Sequence, residues 1–320
     1  MSTAEIPVQM KAAAFDRFGS PEVVHIEHLP VPELGAHDVL VEVATAGVGV
    51  WDPEMIDGSF EVGKARFPRV IGSDGAGTVR AVGDRVRHVA IGERVYGWGF
   101  GNAKGGFYAE YAAIDEKQLA PIPETVAFAE AGALAVAGIT ALQGLDHLEL
   151  EPGEPVLILG ASGGVGHVAV QLAKRLDLRV FAVASKQDGI ALVERLGADV
   201  VVDGHHAFQK TARAFAPKGF AGAIVFAGGN GWRDALELVE HGRRVVWPNG
   251  VEPEPAFGHA VKPLAYDAEE SPAIFKRLNE LVGRGAFHVH IAKSYRLEAT
   301  AQALRDVQKH HVGKLAIKIH

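Results

Sequence analysis

Residues 155–189 read PVLILGASGGVGHVAVQLAKRLDLRVFAVASKQDG, and this stretch decides the fold. The apolar run 156–159 predicts a buried strand, and the glycine cluster 160–166 predicts a turn. The amphipathic residues that follow predict a helix beginning near Gly164. A second apolar run ends at Ser185-Lys186. Strand, helix and strand in this order predict a parallel βαβ unit.

The same alternation continues toward the C-terminus. Strand-like runs DVVVDG, GAIVFAGG and RRVVWPNG are separated by helical patterns such as QDGIALVERLG, FQKTARAF and WRDALELVEHG. The strands are almost wholly apolar, which is typical of strands covered on both faces. An α/β fold with a doubly wound parallel sheet is therefore predicted for residues 125–264.

Residues 10–125 have a different character. Short β-like runs such as DVLVEVATAG and GAGTVRAVG are punctuated by Gly, Pro and Asp. This pattern predicts a mostly β domain that is largely antiparallel and partly barrel-like. Beyond residue 265, two helical patterns precede a final predicted strand, GKLAIKI.

Composition limits the classes of function. The 320 residues are 48% apolar and 22% charged, as in ordinary globular proteins. A net charge of −7 offers no electrostatic reason to bind nucleic acid or an anionic membrane. No apolar run reaches the roughly 18 residues of a membrane span. The N-terminus lacks the pattern of a signal peptide, so a cytoplasmic location is expected.

The chain contains no cysteine. Disulfides, thiolate metal ligands and cysteine nucleophiles are therefore excluded. Zinc needs three or four well-placed ligands, and the histidine pairs are interpreted as surface residues. We therefore predict no metal site; the pairs are His205-His206, His288 with His290 on a predicted strand, and His310-His311.

The glycine cluster predicts a dinucleotide site. Residues 161–166 form an A-x-G-x-x-G pattern between a strand and a helix. Gly163 lets the backbone approach a diphosphate, and Gly166 lets the helix pack close to its strand. Free amides and the dipole at the helix start favour bound phosphate. The alternative is a purely structural turn.

The end of the second strand discriminates between NAD and NADP. An NAD site places Asp or Glu there, about 20 residues after the glycines. This sequence has Ser185 and Lys186, a hydroxyl and a cation that suit the 2′-phosphate of NADP. We therefore predict NADPH as the cofactor; the alternative interpretation of Lys186 is a solvated lysine at a helix start.

The whole chain resembles the zinc-free quinone oxidoreductase branch of the medium-chain dehydrogenase/reductase superfamily. The resemblance is carried, in order, by PEVV, DVLVEVATAGV, IGSDGAGTVRAVG, IGERVYG, GGFYAEYAAI, GITAL, PVLILGASGGVGHVAVQLAK, LGADVVVD and GRRVVWPNG. It implies a GroES-like catalytic domain over residues 1–124, completed by 265–320, and a Rossmann NADP-binding domain over 125–264. It also implies an active site in the cleft between the domains and a homodimer or homotetramer.

The resemblance assigns cofactor-binding positions. Thr140 corresponds to a position near the nicotinamide ribose, and Lys314 to a lysine that approaches the cofactor. The other positions correspond to the diphosphate loop, the 2′-phosphate region and two loops near the nicotinamide: Ser162, Gly163, Gly164 and Val165; Ser185 and Lys186; Ala227, Gly228, Gly229, Pro248 and Asn249.

The sequence departs from the family pattern at three places. Gly49 stands where the family often has Asn, and Gly204 stands where a Tyr is frequent. The aromatic hydroxyls often found after the first of these positions are absent, with Glu54 and Phe60 in that region. The position that holds a catalytic cysteine in zinc-dependent relatives lies within VGVWD, and their GHE-like position reads GSD at 72–74.

Hydride transfer without zinc favours particular acceptors. A ketone needs a Lewis acid or a proton donor to stabilise the developing alkoxide. A quinone or an α,β-unsaturated carbonyl instead spreads the charge internally. No catalytic residue is predicted, and Asp52 is interpreted as structural. Five side chains are candidates for the substrate pocket, with core packing as the alternative: Trp51, Met55, Phe60, Trp98 and Phe100.

The sequence thus predicts an NADPH-dependent, zinc-independent oxidoreductase. Its expected partner is a small electrophilic acceptor, a quinone or an α,β-unsaturated carbonyl. Two alternatives stay open: an alcohol dehydrogenase or ketone reductase with a non-cysteine metal site, and a non-catalytic nucleotide-binding protein.

Overall fold

The structure is a computed structural model that describes residues 5–60, 66–228, 232–255, 257 and 260–320. The chain divides into two compact units. Unit 1 comprises Met1–Val136, Glu270–Asn279 and Ile291–His320, and unit 2 comprises Ala137–Glu269 and Glu280–His290. The C-terminal residues from Glu270 onward thus rejoin unit 1, except for Glu280–His290. The units differ from the predicted domains in three segments: residues 125–136 lie in unit 1, and residues 265–269 and Glu280–His290 lie in unit 2.

Unit 2 is built on a six-stranded parallel sheet of strand order β11-β10-β9-β12-β13-β14. Its strands are β9 (Pro155–Leu159), β10 (Arg179–Ala184), β11 (Val200–Asp203), β12 (Phe220–Val225), β13 (Val239–Pro248) and β14 (Lys262–Tyr266). Adjacent parallel strands end at one edge of the sheet, which we call the carboxyl edge. The predicted parallel α/β sheet is confirmed.

Helices connect these strands. They are α3 (Ala135–His147), α4 (Gly166–Arg175), α5 (Lys186–Arg195), α6 (Gln209–Phe215) and α7 (Trp232–Leu236). The segment WRDALELVEHG, predicted as one helix, is helical only as far as Leu236. Its end joins β13 because the Phe220 amide donates to the Leu238 carbonyl oxygen at 2.8 Å, and Gly242 then turns the backbone with a φ of +76°.

Unit 1 is mostly β-sheet. A larger sheet has the order β15-β16-β3-β5-β6-β8, with β7 paired to β3, and a smaller one has the order β2-β1-β4. Pairing is antiparallel except between β15 and β16, so the largely antiparallel prediction is confirmed. The strands are β1 (Gln9–Phe15), β2 (His25–Pro30), β3 (Asp38–Gly47), β4 (Arg69–Val70), β5 (Asp74–Val82), β6 (Arg94–Trp98), β7 (Tyr111–Asp115), β8 (Leu119–Pro121), β15 (Ile291–Arg296) and β16 (Lys314–Lys318).

Short helices complete unit 1. They are α1 (Asp52–Asp57), α2 (Phe128–Ala131), α9 (Thr300–Asp306) and the first part of α8 (Pro272–Val282). Its core joins residues from both chain ends, among them Phe15, Phe107 and Ile317, all fully buried. In the described part of the chain, no helix is both long enough and apolar enough to cross a membrane.

Candidate cofactor site and substrate wall

A glycine turn joins β9 to α4. Gly160 has a left-handed φ of +75°. A Cβ on Gly166 would lie 2.1 Å from the carbonyl oxygen of Gly160, a distance that no side chain tolerates. Glycine at 166 therefore lets α4 start directly against the end of its strand. The helix begins at Gly166 rather than near Gly164, so Gly164 and Val165 belong to the turn.

Space for a ligand lies beside Gly163. Among the described residues, a Cβ built on Gly163 would meet only the Gly160 carbonyl oxygen within 4 Å, at 3.4 Å. Ser162 is buried beside it. The start of the ten-residue helix α4 carries the positive end of its dipole, while the His167 and Val168 amides donate to the carbonyl oxygens of Gly163 and Val165. This cradle fits a diphosphate.

His167, near the start of α4, fixes the turn. Its ring is fully buried. Nδ1–H donates to the Gly163 carbonyl oxygen at 2.8 Å, and Nε2 accepts the His290 amide at 3.1 Å, which defines a neutral tautomer. Gln171 holds the backbone of His288 through both its amide oxygen and its amide nitrogen. His288 and His290 thus precede β15 instead of lying on a strand, and α4 holds their backbone.

The ends of β10 and β11 carry the residues predicted for the 2′-phosphate. Ala184 pairs with Asp203, so the residues after them are neighbours on the carboxyl edge. The Ser185 amide donates to Ser162 Oγ at 3.4 Å, which links the end of β10 to the glycine turn. Lys186 is exposed and starts α5. Neither of the two positions after β10 carries a carboxylate.

A further loop adjoins the glycine turn. Ala227 follows β12, and a Cβ on Gly160 would lie 2.9 Å from the Ala227 Cβ. A Cβ on Gly228 would lie 1.7 Å from the Glu252 carbonyl oxygen, so this position requires glycine. The structure thus brings Ala227 and Gly228 beside the turn. Gly229 lies outside the described residues.

Two other predicted cofactor positions are joined by Tyr266. The buried Tyr266 hydroxyl donates to the Thr140 carbonyl oxygen at 2.7 Å, and the Asn249 amide donates to the Tyr266 carbonyl oxygen at 2.9 Å. Pro248 ends β13 immediately before Asn249. These contacts attach α3 and the end of β13 to β14.

Unit 1 contains an aromatic cluster formed by Trp51, Phe60, Trp98 and Phe100. Phe100 is central: its ring centroid lies 6.0 Å from Trp51, 5.9 Å from Phe60 and 6.3 Å from Trp98. Phe60 is 39% exposed and Trp98 is 7% exposed. The structure therefore brings together four of the five predicted pocket candidates. Trp51 and Phe100 also pack against the core, and Met55 lies within it at 3% exposure.

Trp51 also lies in the region that corresponds to the metal-ligand positions of zinc-dependent relatives. Its indole Nε1–H donates to Ser73 Oγ at 3.0 Å. A Cβ on Gly49 would lie 2.6 Å from the same indole ring. The two segments that correspond to ligand positions in zinc-dependent relatives are thus held together by an indole–hydroxyl hydrogen bond.

Asp52, the residue after Trp51, is a fully buried carboxyl. Its Oδ2 accepts the Gly49 amide at 2.8 Å and the Tyr108 hydroxyl. Burial raises the pKa of Asp52 from 3.8 to about 6, against the opposing effect of these hydrogen bonds. Oδ1 has no hydrogen-bond partner among the described residues.

A second buried carboxyl pairs with Lys314. The ammonium lies 3.2 Å from Asp74 Oδ2, and Asp74 Oδ1 accepts the Val136 amide at 2.6 Å. Burial raises the pKa of Asp74, although Lys314 opposes the shift. Lys314, predicted to approach the cofactor, is 6% exposed and ion-paired within unit 1.

Comparisons with known proteins agree with this architecture. A model described as the alcohol dehydrogenase GroES-like domain matches residues 35–124, and one described as zinc-binding dehydrogenase matches residues 164–255. A quinone oxidoreductase of Rattus norvegicus is 31% identical over 320 residues, covering 96% of each chain. The chain belongs to the medium-chain dehydrogenase/reductase superfamily. Within it, the chain is quinone oxidoreductase-like.

Other members of the superfamily show the range of activities nearby. The chloroplastic NADPH-dependent alkenal/one oxidoreductase of Arabidopsis thaliana is 31% identical over 290 residues, covering 88% of this chain and 72% of the relative. The solved quinone oxidoreductase of Coxiella burnetii superposes with a TM-score of 0.83 at 27% identity over 98% of this chain and 100% of that one. A solved NAD-dependent alcohol dehydrogenase gives a TM-score of 0.88 at 28% identity, over 97% and 100%. The chain is therefore an oxidoreductase of the medium-chain type.

One of the matching models is named for zinc, but the described residues of this chain do not form a zinc site. Across the described ranges, no group of three or more His, Asp or Glu side chains is arranged to hold a metal ion. Gly49 and Ser73 stand in the segments concerned, and a lone hydroxyl already bonded to Trp51 is not a zinc ligand set. In these two segments, the residues that the structure describes do not fit a catalytic zinc.

Sequence reasoning missed three side chains in the regions described above. His205 was interpreted as solvated; it is exposed, but its Nε2 lies 3.1 Å from Ser185 Oγ. The strand order, which places β11 beside β10, is the signal that would have found it. His167 and Tyr108 could not be found in this way because their partners, His290 and Asp52, are remote in the sequence.

Proposed function

We propose that this chain is an NADPH-dependent, zinc-independent oxidoreductase that reduces quinones or α,β-unsaturated carbonyls. When bound, NADPH supplies the hydride. The glycine turn and the start of α4 hold the diphosphate, with Gly163 leaving the space that it needs. Ser185 and Lys186 provide a hydroxyl and a cation for the 2′-phosphate, where NAD-binding sites have a carboxylate.

The aromatic cluster carries the substrate assignment. Its rings form an apolar cluster, and the indole N–H of Trp51 is already donated to Ser73. As the wall of a substrate pocket, such a cluster excludes water and stacks on a flat acceptor, but it offers no group to stabilise a localised alkoxide. A quinone or a conjugated enone disperses the added charge within itself. An acceptor of this kind therefore needs no charge-stabilising group from the aromatic cluster.

The names of the relatives support the same class. They include quinone oxidoreductases and an NADPH-dependent alkenal/one oxidoreductase. Alcohol dehydrogenases are also among them. The alcohol dehydrogenase alternative requires a set of metal ligands, which our proposal does not. The segments at Gly49 and Ser73 lack such a set.

An acceptor comparison tests the substrate assignment. Initial rates of NADPH oxidation are measured with a benzoquinone, a conjugated enone and the corresponding saturated ketone. We expect turnover with the first two and none with the ketone. Phe100→Leu should raise KM for the quinone by about tenfold through loss of ring contact, whereas Phe18→Leu, an exposed ring elsewhere in unit 1, should not. Turnover of the ketone alone would contradict the assignment.

A further inference from the structure

The imidazole of His205 lies beside the hydroxyl predicted to recognise the cofactor's 2′-phosphate. Ala184 at the end of β10 pairs with Asp203 at the end of β11. The two loops that follow meet at one point of the carboxyl edge, where His205 Nε2 lies 3.1 Å from Ser185 Oγ. The ring is exposed, so an incoming anion can reach it.

Two charged side chains of opposite sign, Lys186 and Asp203, accompany Ser185 and His205 in these loops. Lys186 follows Ser185 and is exposed. Asp203 is the carboxylate on the neighbouring strand, and its oxygens are occupied: Oδ1 accepts the His205 amide at 3.0 Å, and Oδ2 lies 3.3 Å from His206 Nδ1. The hydrogen bond from the His205 amide lowers the pKa of Asp203, so this side chain stays ionised and engaged.

We propose that His205 is a third recognition group for the 2′-phosphate, one that adds positive charge only when its imidazole is protonated. The proposal rests on the proposed function, in that NADPH is the cofactor. Ser185 contributes a neutral hydroxyl and Lys186 a charge that persists at all physiological pH values. A histidine imidazole gains its charge between about pH 8 and 5. The preference for a 2′-phosphorylated nucleotide should therefore grow as the pH falls through this range.

Fragments of the cofactor test the proposal without requiring turnover. Adenosine 2′,5′-bisphosphate and 5′-AMP differ only in the 2′-phosphate, and their binding to the full chain is measured by calorimetry at pH 6.0 and 8.5. The 2′-phosphate itself titrates near pH 6. Wild type and variants are therefore compared with the same ligand at the same pH, so that this effect cancels.

His205→Gln should weaken binding of the bisphosphate about fivefold at pH 6.0, the upper range for an exposed ion pair, and less than twofold at pH 8.5. Binding of 5′-AMP should not change at either pH. His206→Gln, the adjacent exposed histidine, is the matched control and should bind like wild type. His205→Arg, with a permanent charge, should bind tightly at both pH values and lose the pH dependence.

Two results would overturn the inference in distinguishable ways. If His205→Gln matches wild type at pH 6.0, or loses the same affinity at both pH values, the role of His205 is wrong while the NADPH assignment stands. If wild type itself binds the two nucleotides equally, the NADPH assignment fails, and the role of His205 fails with it.

Discussion

At the scale of single residues, the fold changes the pKa of the Asp52 carboxyl. Its carboxyl is fully buried, and burial raises its pKa to about 6. Lys314 and the hydrogen bonds from Tyr108 and Gly49 oppose the shift without cancelling it. The folded protein therefore holds a proton on Asp52 at pH values where an unfolded chain has released it.

This predicts a pH-dependent loss of stability. Because the pKa of Asp52 is raised in the folded state, its protonated carboxyl contributes fully to the stability of the fold below about pH 4. This contribution is lost as the pH rises through 6. With each pKa unit worth about 1.4 kcal/mol, the loss is about 3 kcal/mol. Asp52→Asn should lack this loss, since its amide cannot ionise.

Urea unfolding from pH 4.0 to 7.5 measures the effect on the free energy of unfolding. Asp57→Asn in the same helix is the control, because the pKa of that exposed carboxyl is lowered and its contribution changes only at more acid pH. The control should follow wild type. An Asp52→Asn profile parallel to wild type would contradict the account of the buried carboxyl.

The same residue scale shows where prediction from sequence ends. The types of Ser185 and Lys186 and their distance from the glycine cluster were enough to predict their place at the end of β10. The remote partners of Asp52, His167 and Lys314 were not predictable, because each of these lies more than fifty residues away in the chain. Periodicity carries no information on which buried polar groups meet.

At the scale of elements, α4 and the turn before it connect fold and cofactor. The apolar run of β9 and the glycine pattern predicted this element well, because strand, tight turn and helix are encoded locally. The extent of α7 was mispredicted: a helical pattern through Gly242 gave way to β13, whose first residues pair with Phe220. Pairing with a remote strand overrode the local pattern.

Two glycines of this turn should respond differently to the same substitution. Gly166→Ala puts a Cβ 2.1 Å from the Gly160 carbonyl oxygen and should destabilise the protein by about 2 kcal/mol or more. Gly163→Ala meets little protein and should change stability by less than about 0.5 kcal/mol. Its methyl fills the diphosphate space, so NADPH affinity should fall at least about tenfold.

Thermal unfolding and NADPH titration of the two variants separate these effects. Wild-type NADPH affinity in Gly163→Ala would contradict the placement of the diphosphate. Wild-type stability in Gly166→Ala would contradict the close approach of α4 to β9.

At the scale of the whole molecule, composition and pattern identified the fold class and the family. Strand alternation predicted the parallel sheet, and an ordered set of motifs along the chain indicated the superfamily. The absence of cysteine excluded thiolate ligands and nucleophiles on composition alone. The sequence did not show what occupies the positions that hold metal ligands in zinc-dependent relatives. In unit 1, the Trp51–Ser73 hydrogen bond and the aromatic cluster around it lie there.

The central claim is metal-independent reduction with NADPH. It is tested most directly by quinone turnover of chelator-treated protein whose metal content is measured in the same sample, with NADPH and NADH compared. We predict full activity at far less than one metal ion per chain, and kcat/KM at least about tenfold higher with NADPH, as expected for lost charge-assisted contacts. Activity that requires one zinc per chain, or a preference for NADH, would contradict the account.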